Sequence, residues 1–196
     1  MASLFDQLQA QAFRAGVTPR TRQAQLWFQK KVKDLGEVNR RSLLKDDALE
    51  VTKNPLPGQM VMYFYDPKHK ATLPYYDRFP LTIFIQPANG GFHGLNLHYL
   101  APGVRARFLD ELMATAPKNI NDTTRLKITY DKLKGSQKYK EFKPCFKHYL
   151  TPHIKSNIAR VPMTEWSIAI FLPTEQFVGV KSQTVHRYSR KVYTGR

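Results

Sequence analysis

A chain of 196 residues can build one ordinary core with appendages, and is too short for two full-sized domains. Its 42% hydrophobic and 12% aromatic residues exclude a disordered basic polypeptide, and its single cysteine, Cys145, excludes an internal disulfide and a thiolate metal cluster. The net charge of +16, from 31 Lys and Arg against 15 Asp and Glu, points to a polyanionic partner, with DNA first in line.

At the N-terminus, Met1 to Asp6 shows no basic stretch leading into an apolar one, and no uncharged apolar run approaches the roughly 18 residues of a membrane span. The expectation is a protein neither exported by a standard signal nor embedded in a membrane, and assembled in the cytoplasm. Ser3 with Asp6 resembles a capping box, Leu4, Leu8 and Ala12 recur at helical spacing, and Gly16 suits the left-handed residue that ends a helix. Thr18 as cap and Pro19 in the first turn then predict a second helix. Its apolar stripe is Ala24, Phe28, Val32 and Leu35, extended by Trp27, and Gly36 closes it. Residues 14–45 carry nine basic side chains and two acids, a net of +7. Among them Arg20, Arg22, Lys30, Lys31 and Lys33 lie largely off the stripe, so one face of the helix packs while another meets phosphate.

Pro55 and Pro57-Gly58 mark a change of character. Met60 to Tyr65, Leu81 to Ile85 and Phe92 to Leu97 are rich in β-branched and aromatic residues and predict strands, and Asn89-Gly90-Gly91 predicts a hairpin between the last two. In the loop from Asp66 to Pro80, Tyr75 and Tyr76 either stack on bases or close the edge of the core, and the core is favoured. Pro102 opens a helix over Gly103 to Ala116, with Val104, Phe108 and Leu112 at i, i+4 and i+8. Residues 123–160 mix helical and extended signals and resist partition. Within them, residues 132–160 hold eight basic side chains and one acid, again +7. Trp166 to Leu172, bounded by Pro162 and Pro173, predicts a last strand. Beyond Gly179 the chain reads as a basic arm, with +5 between Lys181 and Arg196 and no acid.

These elements predict an α+β fold: N-terminal helices packed on a small antiparallel β-barrel or curled sheet, with a basic C-terminal arm. The boundaries are a helical extension over 1–50, a core domain over 51–180 and the arm over 181–196. The three basic segments leave the rest of the chain slightly acidic. Charges gathered in this way repel one another unless a polyanion neutralises them. A solvated surface that only confers solubility is the plain alternative. The expected phosphate contacts are Arg20, Arg22, Lys30, Lys31 and Lys33 from the second helix, with Lys138, Lys140 and Lys143 from the later run. They act as clamps without base readout, because no groove-reading motif is present.

The residues suited to catalysis form no convincing constellation. His93 and His98, five apart on a strand-like segment, lack the same-face spacing of a helical zinc site, and His148 and His153 flank Pro152. Cys145 lies between Pro144 and Phe146, a setting for an inert core thiol. Asp131 followed by Glu141-Phe142-Lys143 has the spaced acid and Glu-x-Lys pattern of metal-dependent nucleases, with Asp131 and Glu141 as ligands and Lys143 near the attacking water. Acids and lysines at such loose spacing recur in any lysine-rich chain, so the binding surface is preferred, and neither a cofactor nor an enzymatic role is expected.

Four phrases carry a family resemblance: Thr18-Pro19-Arg20-Thr21-Arg22 with Trp27-Phe28, Tyr65-Asp66-Pro67-Lys68 with Leu73 to Leu81, Gly91 to Leu100, and Trp166 to Pro173. Together they resemble a structural-protein family of contractile-tailed phages related to the T-even group. Its members are assigned to head completion, including protection of the packaged DNA end, or to tail and baseplate assembly. The resemblance implies a virion protein assembled in the host cytoplasm, present in several copies of a symmetric assembly, with other virion proteins and the DNA backbone as partners. The alternative it implies is a tail or baseplate subunit whose basic tracts meet acidic protein surfaces. It spans most of the chain and supplies no functional residues to carry over.

Overall fold

The computed structural model describes residues 3–18, 21–114 and 142–195. Helices and a mostly antiparallel sheet make the fold α+β. In chain order come α1 (Leu4–Arg14), α2 (Arg22–Lys31), α3 (Arg40–Leu43), β1 (Glu50–Thr52), β2 (Met60–Met62), β3 (Tyr76–Asp77), β4 (Leu81–Ala88), β5 (Gly91–Asn96), α4 (Pro102–Ala114), β6 (Phe146–Leu150), β7 (Ile158–Val161), α5 (Trp166–Ala169), β8 (Phe177–Val178) and α6 (Ser182–Thr194).

Capping chemistry sets the first helices. The Ser3 hydroxyl accepts from the Asp6 amide, and Phe5, Leu8 and Ala12 form the buried face of α1. The second helix starts later than Thr18. Its cap is Thr21, whose hydroxyl accepts from the Ala24 amide at 3.1 Å, and the last turn tightens into a 3₁₀ turn over Val32–Leu35. Ala24, Phe28 and Val32 are buried as the stripe predicts.

Among the described residues six strands form one sheet in the order β1-β7-β2-β4-β5-β6, every pair antiparallel, and β3 pairs with β8 separately. β1 and β6 are open edges, so no barrel closes among the described residues; the expected barrel is corrected to an open sheet. The hairpin β4–β5 forms where the Asn-Gly signal places it: Ala88 pairs with Gly91, and Gly90 takes φ 72°. Gly91 has a separate reason to be glycine, because a Cβ there would collide with the Tyr149 carbonyl of β6. From the unpartitioned stretch come β6 and all but the last residue of β7, and β7 lies inside the sheet between β1 and β2.

The alternation of side chains across strands divides the apolar residues between two faces. Met60, Met62, Leu81, Ile83 and Ile85 join the main core with Phe5, Leu8, Phe28, Phe108 and Trp166. Val61, Tyr63, Tyr65, Phe84, Phe92 and Tyr149 form an aromatic cluster on the opposite face, with the Tyr63 and Tyr149 rings edge-to-face at 5.5 Å.

Trp166 to Leu172 is not a strand. Trp166–Ala169 is one helical turn, and every residue from Trp166 to Leu172 is buried. A short run that is apolar on all sides has no period with which to choose between strand and helix, so composition misleads there. The C-terminal segment expected as an arm is helical over Ser182–Thr194, with Val185 and Ser189, one turn apart, buried.

A buried polar network joins the sheet to the C-terminal third. The Asp77 carboxylate accepts from His98 Nδ1 at 2.7 Å, Asn96 Nδ2 at 3.1 Å and the backbone amides of Phe79 and Gln176, both at 3.0 Å. His98 Nε2 lies 3.1 Å from Thr174 Oγ1. Arg105, 1% exposed, donates to the carbonyls of Leu100, Ile170 and His98. Burial alone would raise the Asp77 carboxyl, but His98 and the two amides outweigh it and hold the group below its ordinary value.

Asp77→Ala removes the acceptor of four donors, three of them in buried bonds, and a loss of about 3–5 kcal/mol in chemical denaturation is expected. A carboxyl depressed in the folded state contributes fully above its ordinary value of 3.8 and loses that contribution as pH falls through the folded value. Denaturation at stepped pH should therefore show a steep stability loss below about pH 4 in the wild type and a flatter one in Asp77→Asn.

Candidate nucleic-acid interface

α2 separates its residues as an amphipathic helix must. Its inner side packs on α1, α4 and α5, and Gln25, buried, donates to Asp110 of α4. Arg22, Leu26 and Lys30, at i, i+4 and i+8, share the exposed side, and Lys33 is exposed in the turn that follows. Lys31 is half-buried and reaches Asp34 at 3.9 Å. Lys143 is exposed next to Phe142, whose ring packs at 4.6 Å on Phe108 of α4, the helix that also receives Gln25. Of the other expected phosphate contacts, Arg20, Lys138 and Lys140 lie outside the described residues, as do Asp131 and Glu141 of the nuclease pattern.

Several basic residues of the charged runs have internal duties. Lys147 holds its ammonium 4.1 Å over the Tyr99 ring, and burial lowers its pKa. Arg160 pairs with Glu50 across β7 and β1, and Lys155 donates to the Pro152 carbonyl. Cys145 is buried and its thiol is pushed up to about 12, chiefly by burial, so it stays protonated at neutral pH.

A groove of about 480 Å³ brings together residues that the sequence keeps far apart: Asn39, Arg40 and Arg41 at the start of α3, Phe64, Arg78, and Gln176. Arg40 is built into its wall. Nε donates to the Thr174 carbonyl at 2.8 Å, a second nitrogen donates to the Glu175 carbonyl at 2.9 Å, and Glu37 stands 3.5 Å away on the solvent side. Arg41 and Arg78 are exposed, with no ion pair among the described residues.

α6 presents Arg187, Arg190 and Lys191 to solvent, while Val185 and Ser189 face the core. Tyr188, exposed on this helix, stacks on Tyr75 at 6.1 Å, and Tyr75 in turn packs against Tyr99 and Phe177 at the core edge. His186 Nε2 donates to the His98 carbonyl at 3.0 Å, and burial, with Arg105 nearby, lowers its pKa. Sequence reasoning selects α2 and misses the groove. The adjacent pair Arg40-Arg41 is a usable signal, but nothing local marks Arg78 or Gln176 as its neighbours.

The family model described as phage T4 terminal DNA protecting protein matches residues 2–195. The chain belongs to this family. No curated protein matches it, and no solved structure does.

The two adjacent arginines of α3 should differ sharply in what they contribute to stability. Arg40→Ala leaves two carbonyls unpaired and should cost about 1–3 kcal/mol in urea denaturation, whereas Arg41→Ala should stay within about 0.5 kcal/mol of wild type.

Proposed function

We propose that this member of the phage T4 terminal DNA protecting protein family binds the ends of duplex DNA through backbone phosphates, as a head-completion or neck protein of the virion. The family match over residues 2–195 carries the reading. The exposed side of α2 supports it, because Arg22 and Lys30 on the helix and Lys33 in the turn after it present cations to solvent while the helix's opposite side is anchored in the core. The contacts assigned to phosphate are Arg20, Arg22, Lys30, Lys31, Lys33, Lys138, Lys140 and Lys143. Contacts of this kind position a protein on DNA without reading sequence, and their strength comes from release of counterions. A protein seated on an end excludes exonucleases by occupying the place they must enter. Other virion proteins, in several copies of a symmetric assembly, complete the particle in the host cytoplasm.

Purified protein should bind linear duplex DNA of any sequence more tightly than a closed circle of equal length, and should slow its digestion by an end-dependent exonuclease. Reversing Arg22, Lys30 and Lys33 to Glu should lower affinity at least about tenfold and reduce the slope of log affinity against log salt by about 1 for each phosphate no longer neutralised. Absence of binding to linear DNA at low salt, or equal affinity for circle and linear forms, would overturn the reading.

A further inference from the structure

None of the described residues assigned to backbone contact lines the groove between α3, Arg78 and Gln176. We propose that it holds the phosphomonoester terminus of a DNA strand, an assignment that rests on the end-binding reading above.

Charge is the first argument. Arg40 is largely buried, yet its two buried bonds go to neutral carbonyls, so among the described residues its positive charge is paired only with Glu37, whose side chain is 87% exposed. Arg41 and Arg78 add two guanidinium groups with no ion pair among the described residues. Asp66 stands within electrostatic reach of Arg78, but its carboxylate is held by Lys70 Nζ at 3.0 Å from both oxygens. A concave site with three cations and one loosely held acid concentrates positive potential. A terminal phosphomonoester carries about −1.5 to −2 charges and three acceptor oxygens, more than a phosphate within a continuous strand, and planar guanidinium forks match its geometry.

The second argument is an unsatisfied atom. Gln176 Oε1 is buried without a hydrogen-bond partner among the described residues, and Gln176 lines the groove. Buried acceptors in native proteins are normally paired, and rotation of the Gln176 side chain toward the groove would let a sugar hydroxyl or base amine of the terminal nucleotide supply the missing donor. Phe64, packed on Phe79 at 4.8 Å, gives that nucleotide an apolar wall. The volume, about 480 Å³, falls in the range of small-ligand pockets.

The third is preorganisation. The Arg78 amide donates to the Gln176 carbonyl at 2.8 Å, the Tyr65 amide to the Arg78 carbonyl at 2.9 Å, and the Gln176 amide to Asp77. The segments that carry Phe64, Arg78 and Gln176 are therefore fixed before the ligand arrives, which removes part of the ordering cost of binding.

The test uses DNA hairpins with one blunt end, bearing a 5′-phosphate, a 3′-phosphate or hydroxyls only, with affinity read by fluorescence anisotropy at fixed salt. One of the phosphorylated hairpins should bind about tenfold more tightly than the hydroxyl form. The double variant Arg41→Ala/Arg78→Ala should lose that preference while binding the hydroxyl hairpin within about threefold of wild type and melting at the same temperature. Equal affinity for all three hairpins, or a preference that survives in the double variant, overturns the groove assignment and leaves the end-binding reading standing. If no hairpin binds, end binding itself fails, and thymidine monophosphate titrated against thymidine decides the groove by NMR. A shift of the Gln176 side-chain amide with the monophosphate alone supports the groove, and no shift overturns it.

Discussion

The Asp77 carboxylate lies at the junction of three parts of the chain. It receives His98 and Asn96 from the end of β5 and the turn that follows, and the Gln176 amide from the segment before β8. A buried carboxylate is costly unless it is fully bonded, and here four donors meet it. Each donor is thereby fixed relative to the others. The position of residues 174–178 depends on this site, and with it the carbonyls that hold Arg40 and the side of the groove formed by Gln176. A surface feature is thus positioned by an interior electrostatic requirement.

Charge on this protein divides into cations engaged inside the structure and cations left to solvent. Arg105 is committed to three carbonyls, Lys147 to an aromatic ring and Arg160 to a cross-strand carboxylate. Such groups add to the formal charge but offer less to a partner: withdrawing Arg105 would leave buried carbonyls unpaired, Lys147 would lose its aromatic contact, and the charge of Arg160 is already met by Glu50. The cations of α2 and α6 are different, because each helix is anchored by an opposite buried side and exposes its basic residues at no cost to the core. Arg40 stands between the two classes. It is structurally fixed, yet its charge is not neutralised by the neutral groups it bonds.

The two proposed modes of phosphate contact use this division differently. The exposed side of α2 presents its cations directly to solvent, suited to contacts that tolerate any register along a backbone. The groove is concave and lined by three arginines, which suits the single phosphate group proposed for it. Their physical difference centres on Arg40, whose largely buried guanidinium is screened less by solvent than the exposed cations of α2 are.

The local signals in the sequence are those carried by neighbours along the chain. The α1 cap, the buried stripe of α2, the β4–β5 hairpin and the helix after Pro102 can be read because helical period, turn chemistry and capping act over a few residues. The outward basic residues of α2 are legible for the same reason. The sequence does not show that Trp166 to Leu172 buries all its residues around a helical turn, since an apolar run without period fits either state. Nor does it place β7 between β1 and β2, or bring Arg41, Phe64, Arg78 and Gln176 to one groove. Those are long-range pairings, chosen by which arrangement buries the most apolar surface while keeping the buried Asp77 and Arg105 hydrogen-bonded, and that competition is resolved only when the whole chain is packed.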